Sequence, residues 1–201
     1  MASNPIRRPR SSPLSTRVLS GLRVACTPTQ DAFRTAAEAA RGSWLLSIAA
    51  SSTGIALVVS VVSRLVGVPS DAAAATSTAL SFALLLTAWA AAAQAIASRF
   101  ASARVDLFEP LVFLSSTAQL AVFAIASVMA FLPAPWNGVS WLFLLYLVLL
   151  PVLATRAIAR LSLPMAALVT LGATIVGTVA AFMVTRIIAG HQWIVEFGNL
   201  F

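Results

Sequence analysis

Residues 44–68 read WLLSIAASSTGIALVVSVVSRLVGV, and this stretch decides the fold. About 20 consecutive apolar residues are enough for a helix to cross the hydrocarbon core of a bilayer. The one charged residue in the stretch is Arg64, which lies four positions from its end, so its guanidinium can reach the lipid headgroups. The stretch therefore predicts a transmembrane helix.

Four more apolar stretches of similar character follow the first. Hydrophobic residues make up 60% of the chain and charged residues 9%, whereas a soluble domain is about a quarter charged. We therefore predict an all-α, polytopic transmembrane bundle of about five spans within residues 43–189. The second span starts in an alanine-rich segment and could begin as late as Leu80. The predicted later spans are residues 73–97, 110–132, 139–155 and 163–188.

The chain that precedes the surface helix and the spans is basic and has two parts. Residues 1–13 are rich in proline, serine and arginine, and they carry too little apolar surface to order themselves. Residues 14–25 place Leu14, Val18 and Leu22 at helical spacing, which predicts either a short helix on the membrane surface or an irregular linker. We expect residues 1–26 to be a disordered or interfacial segment.

A second N-terminal helix is marked by residues at its two ends. Thr27 can cap it, Pro28 suits its first turn, and Gln30 stands three positions after the cap. Gly42 can end it. The pattern predicts a cytoplasmic surface helix within residues 27–42 that leads into the first span.

The arginines predict the orientation of the bundle. All 13 basic residues are arginine. With a cytoplasmic N-terminus and five spans, every arginine except Arg64 and Arg186 lies on the cytoplasmic side, which is the bias that membrane insertion follows. The C-terminal tail, residues 190–201, is then external. An arginine-rich, lysine-free composition is typical of a GC-rich bacterial genome, so we expect an inner membrane.

The chain holds few groups that can do chemistry: one histidine, one cysteine and six acidic residues. Catalysis needs paired groups, such as an acid with a base or a nucleophile with its activator, and no such pairing is visible in the sequence. We therefore expect no enzyme, no cofactor and no metal site. The basic N-terminal region precedes the first span, where arginine acts as an orientation signal and a headgroup contact, so we expect no nucleic-acid partner.

Neutral polar side chains lie inside two of the spans. Gln94 is in the second, and Ser115, Ser116, Thr117 and Gln119 are in the third. Such residues usually bridge neighbouring helices by hydrogen bonds. A substrate path built from the two glutamines is the alternative.

One candidate docking site lies just before the third span. It consists of Asp106, Phe108, Glu109 and Pro110, which combine two acids with an aromatic ring. Acids and proline also suit the first turn of a helix for structural reasons alone. The functional interpretation is a docking point for a basic surface on a partner protein.

A candidate helix-packing site lies in the fifth span. Ala173, Gly177 and Ala181 are four residues apart, so they share one face of the helix. Small residues at a helix crossing let two backbones approach closely in a membrane. The pattern predicts packing against another span of the same chain, with self-association as the alternative.

Residues 27–44, TPTQDAFRTAAEAARGSW, form an amphipathic segment that leads into the first span, and residues 161–167, LSLPMAA, form a short connection into the last span. In these two segments and in its five predicted spans, the chain resembles bacterial members of the Yip1 family of polytopic membrane proteins. Residues 106–111 are similar to an Asp-Leu-aromatic-Gly-Pro-Leu motif of eukaryotic members. They differ from it because Glu109 replaces the glycine and because they precede the third span rather than the first.

The resemblance implies five spans with a cytoplasmic N-terminus and a non-enzymatic role in membrane organisation, exerted through GTPase partners in eukaryotes. On this basis we expect a non-catalytic inner-membrane protein that associates with the lipid bilayer and with other membrane proteins. An accessory subunit of a larger membrane complex and a small transporter are the alternatives.

Overall fold

The computed structural model describes residues 14–67, 72–101 and 106–189, with side chains at residues 15–67, 72, 74–101 and 106–183. These residues form seven helices and no strand. Helices α3 to α7 are each long and apolar enough to cross a bilayer, which confirms the all-α, five-span bundle. The helices are α1 (Leu14–Cys26), α2 (Gln30–Ala40), α3 (Trp44–Leu65), α4 (Ala72–Phe100), α5 (Phe108–Ala130), α6 (Trp136–Ala159) and α7 (Leu163–Ala189).

The second span is longer than its sequence suggested, and the late start at Leu80 is wrong. Helix α4 has 29 residues and begins at Ala72. Alanine has the highest helix propensity of all residues, so the early turns form without strong hydrophobicity. The hydroxyls of Thr76 and Thr78 have partners within these turns, because they donate to carbonyl oxygens one turn earlier, at 2.8 and 2.9 Å.

The fourth span is also longer than predicted. Helix α6 has 24 residues, Trp136–Ala159, so it begins three residues before and ends four residues after the predicted span 139–155. Asn137 and Gly138 lie in the first turn, where backbone N–H groups have no acceptor within the helix. The Gly138 N–H donates instead to the Pro135 carbonyl oxygen at 3.1 Å. At the other end, Arg160 adopts a left-handed conformation with φ of 54°, which stops the helix.

The cap predicted for the surface helix is wrong by two residues. Thr29, not Thr27, caps α2, since its hydroxyl accepts a hydrogen bond from the Ala32 N–H at 3.3 Å. Thr27 is occupied at the end of α1, where its N–H and its hydroxyl both donate to the Arg23 carbonyl oxygen. Gly42 follows α2 with a φ of +70°, as expected for a residue that ends a helix.

The five spans run alternately up and down, and α5 is the central one. A larger share of its residues is buried than in any other span. Helix α4 packs most extensively against α7, and α5 packs most extensively against α6, while α3 packs about equally against α4 and α5. We call the end of the bundle where α2 lies the α2 end: there α3, α5 and α7 begin, and α4 and α6 end. The opposite end is the far end.

Both N-terminal helices are built into the bundle. Helix α2 buries one face, formed by Ala32, Phe33, Ala36 and Ala40, against α5 and α6. Helix α1 packs along α5 through Ser20, Gly21 and Val24, which are buried. Of the two alternatives that the sequence left open for residues 14–25, the helix is present. Its contact with the middle of a span was not foreseen.

Helix α1 turns its apolar side outward. Val18, Leu19 and Leu22 are 41%, 65% and 38% exposed, while the smaller residues face the bundle. The hydroxyl of Tyr146 on α6 donates to the carbonyl oxygen of Ala25 at 3.0 Å, which holds the last turn of α1. A helix that exposes leucine outward and is fixed on its other side is suited to contact with lipid.

The middle of α5 is a π-helical segment, Ser115–Gln119. A π turn shifts the register of the helix and leaves carbonyl oxygens without their usual partners. The hydroxyls of Ser116 and Thr117 both donate to the Phe113 carbonyl oxygen, at 2.8 and 2.9 Å. The run of three hydroxyl residues therefore stabilises the irregular turn that it creates.

The predictions for residues 1–13 and for the tail, residues 190–201, fall outside the described residues. Arg186 belongs to α7, but its side chain is also outside the described part. Arg64 lies exposed in the last turn of α3, at the far end.

Candidate functional site

The residues of the candidate docking site make contacts inside the protein. The Glu109 carboxylate accepts a hydrogen bond from the Gly42 N–H at 2.9 Å. The ring of Phe108 meets the ring of Trp44 edge-on, with 5.9 Å between centroids. These two contacts join the start of α5 to the start of α3.

The remaining two residues of that site differ in exposure. Pro110 is buried in the first turn of α5, whereas Asp106 is exposed. Between them, the Leu107 N–H donates to the side-chain oxygen of Gln94. Gln94 therefore bridges α4 and the start of α5, as expected of a polar group inside a span. A docking role for this site stays a prediction, with Asp106 as its exposed member.

The small face of α7 lies against α4. Ala173, Gly177 and Ala181 are all buried. A Cβ added to Gly177 would lie 2.7 Å from the Cα of Trp89 and 2.8 Å from its backbone nitrogen. Backbone therefore meets backbone at this crossing, and glycine is the residue that allows it.

A cleft opens between α4, α5, α6 and α7. Its cavity volume is about 320 Å³, which lies at the lower end of the range of small-molecule sites. Its described lining combines apolar side chains, Phe82 and Trp89 among them, with neutral polar ones. The polar lining residues are Ser115, Gln119, Thr170, Thr174 and Thr178.

Two helix irregularities line this cleft. Ser115 and Gln119 are the first and last residues of the π-helical segment of α5. Pro151 interrupts α6, and it has no N–H to donate to the carbonyl oxygen of Leu147, which also lines the cleft. Irregular turns of this kind are frequent at functional sites in helical proteins. The cleft is therefore the strongest candidate for a binding site among the described residues.

Two threonine hydroxyls of α7 that line the cleft are bonded within their own helix. The Thr170 hydroxyl donates to the Ala166 carbonyl oxygen at 2.8 Å, and that of Thr174 donates to the Thr170 carbonyl oxygen at 2.9 Å. A hydroxyl that donates still has lone pairs that can accept. On α5, the Ser115 hydroxyl lies within hydrogen-bond distance of the Leu111 carbonyl oxygen, at 3.0 Å, and of the Gln119 side-chain amide, at 2.5 Å. The Gln119 amide nitrogen carries two N–H groups, so at least one donor is left in either orientation of the amide.

Sequence reasoning missed the cleft, because its lining comes from four helices. One signal was available: Thr170, Thr174 and Thr178 are four residues apart, so they share one face of α7. Gln119 was identified as an interior polar residue, and it does line the cleft. Gln94 does not belong to the described lining, so the structure does not bring the two glutamines together there.

Two close helix contacts were also missed. A Cβ on Gly21 would lie 2.1 Å from the Thr117 hydroxyl oxygen, so α1 approaches the π-helical segment as closely as glycine permits. In α3, Ser47 and Ser51 are buried, and a Cβ on Gly54 would lie 2.4 Å from a methyl carbon of Leu120. In α3, the helical spacing of Ser47, Ser51 and Gly54 was the sequence signal that could have predicted close packing.

The charged side chains gather at the α2 end. We call this group of exposed residues the α2-end surface. It combines basic and acidic groups from α2, from the ends of α4 and α6 and from the chain before α5. Its members are Asp31, Arg34, Glu38, Arg41, Arg99, Asp106, Arg156 and Arg160.

No group of three His, Cys, Asp or Glu side chains that could hold a metal ion occurs in the described part of the chain. Comparisons with models of protein families, with curated proteins and with solved structures find no match.

Proposed function

We propose that the protein is a non-catalytic, Yip1-like protein of the bacterial inner membrane, which organises the membrane by associating with other membrane components at its α2 end. The α2-end surface is the observation that carries the proposal. Charged side chains do not stay in hydrocarbon, so this surface projects into the headgroup region or the water beyond it. It is the part of the described bundle best suited to meet a partner outside the bilayer.

The surface is held in a fixed position on the bundle. Phe33 is 1% exposed, so α2 is anchored by a large buried side chain. The bond between Glu109 and Gly42 fixes the end of α2 to α5. A rigid charged surface loses less conformational entropy when it binds than a mobile one, which favours association as its role.

The distribution of arginine between the two ends of the bundle supports a cytoplasmic location for the α2 end. Arg34, Arg41, Arg99, Arg156 and Arg160 are exposed there, and Arg64 lies at the far end. Arginine accumulates on the cytoplasmic side of inner-membrane proteins. The same groups can contact anionic headgroups of the inner leaflet, at roughly 1 kcal/mol per basic residue near the surface.

Site-specific photocrosslinking in native membranes tests the proposal. A photoreactive amino acid at Glu38 probes the outward face of α2, and one at Leu171 probes a lipid-facing position on α7 as the matched control. We expect a discrete heavier adduct from position 38 and none from position 171. Arg34→Glu should abolish the adduct at position 38.

The opposite crosslinking pattern would support a different function. A protein adduct at position 171 without one at position 38 would identify an accessory subunit that packs through its spans inside a larger complex. The absence of any protein adduct at position 38, in membranes where the protein is folded, would contradict association through the α2 end.

A further inference from the structure

The cleft between α4, α5, α6 and α7 lies at the depth of the hydrocarbon core. At 1.5 Å per residue, Thr170 and Thr178 stand about 10 and about 22 Å from the start of α7. The core is about 30 Å thick. Thr174, Thr178 and Val148 are exposed on the outer surface of the bundle, so the cleft is open to lipid. A ligand therefore reaches it through the bilayer.

The chemistry of the lining selects a neutral ligand. The described lining residues are all uncharged. An ion that left water for this site would lose its hydration without an opposite charge in compensation, which costs far more than neutral hydrogen bonds return. Apolar contact with Phe82 and Trp89 favours a ligand that is mostly hydrocarbon.

The hydrogen-bonding groups of the lining further restrict which neutral ligands fit the cleft. Gln119 offers at least one amide N–H donor, because its amide nitrogen carries two N–H groups and at most one of them can meet the Ser115 hydroxyl. Thr170 and Thr174 offer acceptor lone pairs, because their hydroxyl protons are used within α7. A ligand group that matches both must accept and donate at once, as an alcohol hydroxyl does.

We propose that this cleft binds a neutral lipid with a free hydroxyl group, of the diacylglycerol type, which enters sideways from the bilayer. The lipid hydroxyl accepts from the Gln119 amide and donates to a threonine oxygen on α7. Its acyl chains pack against α4 and α6. The proposal does not depend on the α2-end surface, and neither proposal requires the other.

Photolabelling tests the site. The full-length protein is placed in phosphatidylcholine nanodiscs with a diacylglycerol that carries a diazirine on one acyl chain. Unlabelled dioleoylglycerol and its O-methyl ether, which has no hydroxyl proton, serve as competitors. We expect saturable labelling on peptides of α5 or α7, with dioleoylglycerol competing about fivefold better than the ether, as one hydrogen bond would give.

Three variants assign the contacts. Thr174→Val keeps the shape of the side chain but removes the acceptor, and Gln119→Leu removes the donors. Each should reduce labelling about fivefold. Thr87→Val makes the same chemical change on α4 at a position outside the described lining, where its hydroxyl donates to the Ala83 carbonyl oxygen, and it should leave labelling unchanged.

A fourth variant keeps the test independent of any folding defect in Gln119→Leu. Thr174→Trp fills the cleft from an exposed position, so the protein should fold and labelling should be lost. Equal competition by the alcohol and the ether would overturn the proposal. So would wild-type labelling of Thr174→Val and Thr174→Trp, or an equal loss in Thr87→Val.

Discussion

Gly177 on α7 meets the backbone of Trp89 on α4, and a Cβ at the glycine would lie 2.7 Å from the Trp89 Cα. Backbone atoms cannot rotate away from a clash as the end of a side chain can. The two helices would have to separate to admit a methyl group. Inside a bilayer this separation is costly, because close packing rather than a hydrophobic force holds helices together.

We therefore expect Gly177→Ala to destabilise the protein. Overpacking of this kind lowers the free energy of unfolding by about 1–3 kcal/mol. Gly172→Ala is the matched control on the same helix, because its added Cβ would meet the movable end of Ile96 at 3.2 Å. Thermal unfolding in detergent compares the two. Equal melting temperatures of the two variants would show that close packing of Gly177 against Trp89 does not contribute to stability.

Glu109 joins the start of α5 to the end of α2 through the Gly42 N–H. Glu109→Leu should lower the free energy of unfolding by about 0.5–1 kcal/mol, since a partly exposed hydrogen bond contributes at the lower end of the usual range. Glu109→Gln keeps an oxygen acceptor and should lose less. Melting temperatures of the two variants provide the measurement, and a larger loss in Glu109→Gln than in Glu109→Leu would contradict this role for the bond.

The proposed orientation places α2 in the cytoplasm and the start of α6 outside. Cys26 is the only cysteine, so a Cys26→Ser background allows single-cysteine labelling. A membrane-impermeant maleimide should label Thr35→Cys in inverted inner-membrane vesicles but not in spheroplasts. Asn137→Cys, at the exposed start of α6, should give the opposite result. Labelling of both positions in the same preparation would contradict an odd number of spans between them.

The five spans could be predicted from the sequence because hydrophobicity over about 20 residues is a local property. The small face of α7 was also visible, since Ala173, Gly177 and Ala181 repeat every four residues. Which span it meets was not, because the partner backbone at Trp89 lies nearly 90 residues away in an alanine-rich helix with no marked face.

The cleft and the place of α1 could not be derived from the sequence. The cleft needs the π-helical register of Ser115–Gln119 and the position of Pro151, which depend on how α5 and α6 pack. The amphipathic pattern of α1 predicted contact between Leu22 and the membrane. It did not indicate that α1 would pack closely against α5 at Gly21, one residue earlier.

Gly21 lets α1 lie directly against Thr117 in the π-helical segment of α5. A Cβ on Gly21 would lie 2.1 Å from the Thr117 hydroxyl oxygen, which is held by its bond to the Phe113 carbonyl oxygen. Gly21→Ala should therefore loosen α1, and limited trypsin digestion should cut after the exposed Arg23 several times faster. Adding Thr117→Gly removes all three obstructing atoms, the Cβ at 2.5 Å included, and should restore slow cleavage. Leu19→Ala, at an outward position, should behave as wild type. Equal cleavage rates for Gly21→Ala and the double variant would mean that the two residues are not in contact.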